Sequence, residues 1–298
     1  DPYPPVRVEG RRVHLLGRSV AVGDHGLPAK ITTRFTPSVQ RADGPEREML
    51  AGPVRFVAVG DRGEEAVSWS GCAPRGVGSG TAAWQARGAG SGLSLRLDGR
   101  LECDGYLTMA IEVEATANRS VEDLRLEIPM RAEFARYLMG MGHRGGRRSG
   151  DWEWQWSDHA NHMVWLGDVG GGLQLKLMYE TDVWELYSLA RHGAPAAWGN
   201  GGQGGCTVRE SGDGAVALVA HSGRRSLTAG ERLVFRFGLL ITPFHALDRD
   251  HWNWRYFGDG SGAVIPMEEI AAGGARVCHL HQGNDLNPHI NYPFVRSP

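Results

Sequence analysis

The sequence contains little that would staple, anchor or strongly charge a fold. Its four cysteines, Cys72, Cys103, Cys206 and Cys278, lie far apart and never in a CxxC spacing. That excludes a zinc ribbon and argues against a disulfide framework, a single bridge aside. No apolar run reaches the length of about 18 residues that spans a bilayer as a helix, and no charged-then-apolar signal opens the chain. The formal charge is only −2 over 298 residues, and no basic cluster stands out beyond Arg144, Arg147 and Arg148. The footprint of a nucleic-acid binder is therefore missing. Helical periodicity is scarce ahead of Pro243. The chain opens on Asp1, for which a removed leader or an excerpt of a longer sequence is the expected reason.

What the chain has is glycine and short alternating strands. Its 43 glycines are dispersed and gather in turns, which is the punctuation of many short strands and not of a disordered tail. Val13–Leu16, Ser19–Val22, Ala29–Phe35, Arg55–Val59, Val67–Trp69, Ala82–Gln85 and Leu93–Leu97 alternate as an antiparallel sheet with one wet face does. Tyr106–Ala115 alternates over a long span, and Val121–Ile128 answers it across Ala117–Ser120, which predicts a long hairpin. A second hairpin is expected from Met163–Asp168 into Leu173–Leu177. Ala215–His221 and Glu231–Thr242 close the series, the latter apolar enough on both faces to be central. About a dozen strands at such spacing predict an all-β fold, a large antiparallel two-sheet β-sandwich with no need for a helix in its first 245 residues.

The stretch Met139–Asp168 is the most informative one. Trp152, Trp154 and Trp156 alternate with Glu153 and Gln155, so an extended chain puts three indoles on one face. Such a face is either core or a platform on which a sugar ring stacks. Just before it, five glycines, three arginines and His143 fall between Gly140 and Gly150. His143 and Arg144 can hydrogen-bond hydroxyls or a carboxylate; equally, the arginines can anchor the loop on nearby glutamates. Trp198 and Asn200 sit in a second glycine-rich run, either a loop folding over substrate or a long surface connection. Asp158, His159 and His162 suggest a metal by their spacing, but without a predicted helix the pattern is weak, and no metal is expected. Asp151, Glu153, Asp158 and Asp168 fit solvated or salt-bridged carboxylates better than an acid–base pair.

After Pro243 the pattern changes. Ile265–Ile270, with Pro266 followed by two glutamates, predicts a short helix capped by Gly273 and Gly274. Ala275–His281 then reads as a strand running into the polar loop Gln282–Asn291. Helix, glycine turn, strand and polar loop are the start of an α/β repeat, which cannot bury itself alone. The expected division is a β-sandwich domain over 1–247, a linker and short helix over 248–274, and the first α/β unit of a truncated (β/α)8 barrel over 275–298, with the rest of that domain following Pro298.

Taken together, Gly142–Arg147, Trp152–Trp154, Trp165–Val169, Gly172–Leu175, Trp198–Gly202 and His281–Phe294 resemble the N-terminal region of glycoside hydrolase family 123-like proteins over nearly the whole chain. The resemblance implies a β-sandwich followed by a catalytic barrel that hydrolyses β-linked N-acetylgalactosaminides or related glycosides. The substrate's own acetamido group would serve as nucleophile beside an Asp-Glu pair, one of the exceptions to two-carboxylate hydrolysis. That pair would lie beyond Pro298, so no catalytic residue is carried over to this chain. The resemblance also implies secretion or a periplasmic location. No cofactor is expected. The expected partners are carbohydrate and the chain's own C-terminal barrel, with no nucleic acid and no membrane. The candidate substrate-binding residues are His143, Arg144, Trp152, Trp154, Trp198, Asn200, His281, Asn284, Asn287 and Asn291. The last four fall where a barrel strand would end on the catalytic face; turn capping by asparagine is their plainer role. Two rival functions are a free-standing carbohydrate-binding module and a purely structural inter-domain sandwich.

Overall fold

A computed structural model describes residues 3–156, 162–181, 193–212, 214–256 and 266–278. The chain divides into two compact units, Asp1–Ala246 and Leu247–Pro298. In the first, alternation of apolar and polar residues builds two stacked antiparallel sheets. The longer runs in the order His143–Arg147, Tyr137–Gly140, Met163–Asp168, Gly171–Met178, Arg232–Thr242, Tyr106–Ala115, Leu93–Glu102, Thr81–Gly90 and Ser68–Ser70, with Arg75–Val77 also paired to Thr81–Gly90. The second sheet runs Trp152–Gln155, Gly205–Glu210, Ala215–His221, Asp123–Arg131, Arg55–Gly60 and Gly63–Glu64.

Leu95, Leu97, Leu107, Met109 and Ile111 of the long sheet share one buried cluster with Leu124, Leu126, Ile128, Val216 and Leu218 of the other. Phe235 and Phe56 meet across the interface with ring centroids 5.1 Å apart. Each such side chain contributes about 1.5–3 kcal/mol by leaving water, which is why a strict period of two suffices to bring the sheets face to face. As expected, Arg232–Thr242 is central, lying between Gly171–Met178 and Tyr106–Ala115. The hairpin Met163–Asp168 with Gly171–Met178 also forms.

The first expected hairpin does not. Tyr106–Ala115 pairs with Leu93–Glu102 and Arg232–Thr242, whereas Asp123–Arg131 belongs to the opposite sheet, between Ala215–His221 and Arg55–Gly60. The link carries its own short strand, Arg119–Val121, paired with Arg225–Leu227, and this takes the chain over the end of the sandwich. Both strands do bury one face in the shared core, but from opposite sheets and not side by side. Helix is sparse, yet among the described residues one turn of α-helix occurs where none was expected, at Ala196–Gly199, beside short 3-10 turns at Ala132–Phe134 and Asn200–Gly202.

Residues Arg7–Glu48 form a separate five-stranded meander whose Val13, Val20 and Ile31 join the same core. Arg18 locks it in place. Only 3% exposed, its guanidinium donates to the carbonyls of Leu16, Asp104, Ile241 and Phe244, and burial pulls its pKa down to about 10.

In the second unit, the helix Met267–Ala272 follows Pro266 and carries Glu268 and Glu269 in its first turn, where the exposed N–H groups favour acids. Gly273 caps it. Arg255–Tyr256 and Val277–Cys278 pair in parallel on either side of that helix in sequence, the relation that a crossover connection produces. Of the strand expected over 275–281, residues 275–276 are not strand, and 279–281 lie outside the described residues. Among the described residues no helix is long and apolar enough to cross a membrane.

Candidate functional site

The three indoles do share a face, and it is turned inward. Trp152–Gln155 is the edge strand of the second sheet, with Trp154 opposite Cys206. Trp154 is 7% exposed, and Trp152 and Trp156 are partly buried against the core. The rings of Trp154 and Trp156 sit 4.8 Å apart at 61°. His162 extends the cluster, 5.9 Å from Trp156 and 6.3 Å from Tyr179. Its imidazole pKa is pushed down to about 4, chiefly by burial and further by Lys176, so it is neutral at pH 7. An aromatic wall of this kind holds the edge strand on the core and leaves no open platform at Trp154. Asp158 and His159 lie outside the described residues.

The glycine-rich segment forms a hairpin, Tyr137–Gly140 with His143–Arg147, at one end of the long sheet. Gly140 is required there, since a Cβ would lie 2.2 Å from the Met163 carbonyl oxygen at a φ of 107°. Nδ1 of His143 accepts the Gly145 N–H at 3.2 Å, and Arg144 is exposed with no ion pair among the described residues. Arg148 is the anchor, donating to the Ala135 and Gly150 carbonyls and to Glu210 at 2.6 Å.

Trp198 is fully buried by its helical turn. Its indole N–H donates to the Arg236 carbonyl at 2.7 Å, and its ring packs edge-on against Phe235 at 4.9 Å. The ring therefore has no surface to offer a sugar, which corrects the expectation of a loop folding over substrate. Asn200, with φ of 42°, donates from Nδ2 to the Ser222 and Arg224 carbonyls; its amide is spent on capping. His281, Asn284, Asn287 and Asn291 lie outside the described residues. The described candidates are thus dispersed over two sheet edges and the core, not gathered at one place.

A groove exists elsewhere, on the outward face of the long sheet. Strand register aligns Arg75, Ala83, Arg100, Thr108 and Gly238 across one rung and Gln85, Asp98, Ala110 and Arg236 across the next. With strands about 4.8 Å apart, the three steps from Gln85 to Arg236 cover about 14 Å. Long side chains rise beside short ones, and the trough over Ala83, Thr108 and Ala110 encloses about 640 Å³. One wall comes from an interruption of the sheet edge. Ser70 pairs with Arg87 and Arg75 with Ala83, so the intervening Gly71–Pro74 leaves the ladder, and Gly71 and Ala73 line the groove.

Three guanidiniums and one carboxylate line this space, those of Arg75, Arg100, Arg236 and Asp98. Asp98 accepts from Gln85 Nε2 at 2.5 Å and pairs with Arg96 at 3.1 Å. Arg100 pairs with Glu102 at 3.2 Å, and Arg75 makes no ion pair among the described residues. Partial burial lowers the pKa of Arg236. Trp84 borders the groove, but its ring is buried and its N–H is held by the Gly26 carbonyl at 2.7 Å. The lining offers hydrogen-bonding and charged groups, not an exposed ring for stacking. None of these residues stands out in sequence, because each strand alone reads as an ordinary alternation; only the register assembles them. Among the described residues no group of three or more His, Cys, Asp or Glu side chains converges to hold a metal.

The family description "Glycoside hydrolase 123, third domain" matches residues 6–243. No curated protein matches the chain. Among solved structures, a GH36 alpha-galactosidase from Geobacillus stearothermophilus in complex with stachyose is 10% identical with a TM-score of 0.46. That alignment covers 78% of this chain and 40% of the galactosidase, so this chain spans less than half of that enzyme. A galactose mutarotase related enzyme from Lactobacillus acidophilus is 7% identical with a TM-score of 0.43, covering 80% of this chain and 98% of that one. An aldose epimerase homologue from C. elegans is 8% identical with a TM-score of 0.44, covering 82% and 99%.

Proposed function

We propose, from the premise that this chain belongs to the glycoside hydrolase 123 third-domain family, that its sandwich supports a catalytic (β/α)8 barrel and contributes to carbohydrate binding. The observation that carries the binding role is the two-rung trough, where amide, hydroxyl, carboxylate and guanidinium groups flank a floor of small residues. Such a surface exchanges hydrogen bonds with sugar hydroxyls at little cost in reorganisation, because its side chains stand on a rigid sheet. The supporting role rests on the second unit, whose parallel strand pair flanking a short helix in sequence has the topology of an α/β repeat. In this reading hydrolysis of a β-N-acetylgalactosaminide or related glycoside, by the substrate-assisted retaining route, takes place on the barrel, and no catalytic residue belongs to this chain. A secreted or periplasmic location accompanies it.

The test expresses the whole encoded protein and the 298-residue chain side by side. Both are assayed on aryl β-N-acetylgalactosaminide and related glycosides, and the shorter chain is also titrated with oligosaccharides. Hydrolysis by the long form alone, with glycan binding by the short form, is the expected result. Hydrolysis by the short form would overturn the division of labour. Hydrolysis by the long form with no glycan binding by the short one would reduce the sandwich to a structural support.

A further inference from the structure

The groove has a chemical bias that hydroxyl recognition alone does not require. Arg75 and Arg100 both flank Ala83, one strand away on either side. Their backbones stand about 10 Å apart, and each arm is long enough to reach over the intervening methyl. Two planar forks around a small residue suit a planar or tetrahedral anion far better than a neutral hydroxyl. Asp98, the one carboxylate in the lining, is engaged by Gln85 and Arg96, and Arg100 is paired with Glu102, whereas Arg75 has no ion pair among the described residues and Arg236 adds a third guanidinium, so the lining holds more positive than negative charge.

The anion is carried by a sugar rather than by a nucleic acid. No exposed ring lines the groove for base stacking, which single-strand binders use throughout. The chain as a whole carries a charge of −2, and the lining sets a carboxylate, Asp98, among its arginines, so it is not the continuous basic track that a phosphate backbone follows. One acidic group among many hydroxyls matches the lining, with Gln85, Asp98 and Thr108 beside the arginine pair.

We propose that the groove binds an acidic saccharide, its uronate carboxylate or sulfate ester held between Arg75 and Arg100 and its hydroxyls meeting Gln85, Asp98 and Thr108. This rests on the carbohydrate-binding reading above and names its substrate class.

The experiment is calorimetric titration of the 298-residue chain with a galactose trisaccharide carrying one galacturonate, its carboxyl-reduced neutral form, a singly sulfated galactose trisaccharide and oligouridylate, at low and high salt. At least one acidic sugar is expected to bind about tenfold more tightly than the neutral one, with affinity falling as salt rises; the uronate and sulfate arms identify the acid. Arg75→Gln, an exposed change that leaves the core intact, is expected to weaken acidic binding about fivefold and to leave neutral binding within about twofold. Arg87→Gln, on the same strand as Gln85 but outside the lining, is expected to bind as the parent does. Equal affinity for neutral and acidic sugars would overturn the acid preference while leaving carbohydrate binding intact. Absence of binding by every saccharide would overturn both, and so would preference for oligouridylate. Equal losses in Arg75→Gln and Arg87→Gln would overturn the site by showing only diffuse charge attraction.

Discussion

Replacing Trp198 separates a packing role from a ligand role. The side chain is fully buried, donates 2.7 Å from its indole to the Arg236 carbonyl and contacts Phe235 and Phe237 edge-on. Trp198→Ala removes a large buried ring, a loss of about 3–5 kcal/mol, and orphans a carbonyl, adding about 1 kcal/mol. Trp198→Phe keeps most of the packing and loses mainly the hydrogen bond, for about 1–2 kcal/mol. Urea unfolding followed by circular dichroism is expected to rank parent, Phe variant and Ala variant in that order, with the Ala variant's melting point lower by about 10 °C or more. Glycan affinity of the folded fraction of Trp198→Phe is expected to match the parent. The reasoning fails if Trp198→Ala stays within about 1 kcal/mol of the parent yet loses glycan binding, because the indole would then meet ligand and not core.

Three further expectations follow from the same geometry. Arg18→Met removes the donor shared by four carbonyls; removing the buried charge regains part of the loss, and a net destabilisation of about 2–4 kcal/mol in urea unfolding is expected. Gly204→Ala places a Cβ 1.8 Å from the Trp198 carbonyl oxygen, and the strain is expected to cost about 2 kcal/mol or more, read as a lower urea midpoint. His162 has a folded pKa of about 4, below its unfolded value of about 6.5. The unfolded chain therefore takes the proton first, and stability present above pH 6.5 is lost as pH falls towards 4, by up to about 3 kcal/mol from this group. His162→Phe is expected to flatten that part of the stability profile, and an unchanged slope would refute the assignment.

Much of the local structure is legible in the sequence, because a period of two says that a strand has one buried face. It does not say what covers that face. Tyr106–Ala115 and Asp123–Arg131 look like partners in a hairpin and instead belong to opposite sheets of one core, since in-sheet and cross-core neighbours leave the same alternation. The common face of Trp152, Trp154 and Trp156 is likewise readable, but its inward direction depends on the pairing with Gly205–Glu210. Trp198 and Asn200 read as a loop because four glycines follow within Gly201–Gly205 and before them stands Gly199; a single turn of helix and a left-handed Asn200 fold that run into the core and onto the Ser222 carbonyl. Arg75, Arg100 and Arg236 come from three distant segments, and nothing short of the strand order could have put them together.

The interruption at Gly71–Pro74 has a second effect, on how this molecule meets copies of itself. A long outer strand exposes a continuous row of backbone donors and acceptors on which another chain can grow a sheet. Here the outermost pieces, Ser68–Ser70 and Arg75–Val77, are three residues each, and the segment between them steps out of line. At the other border of the same sheet stands His143–Arg147, rich in glycine and arginine. Neither border offers an incoming strand more than a few rungs before the ladder breaks or meets charge, so a sheet of ten strands stays protected from templated aggregation.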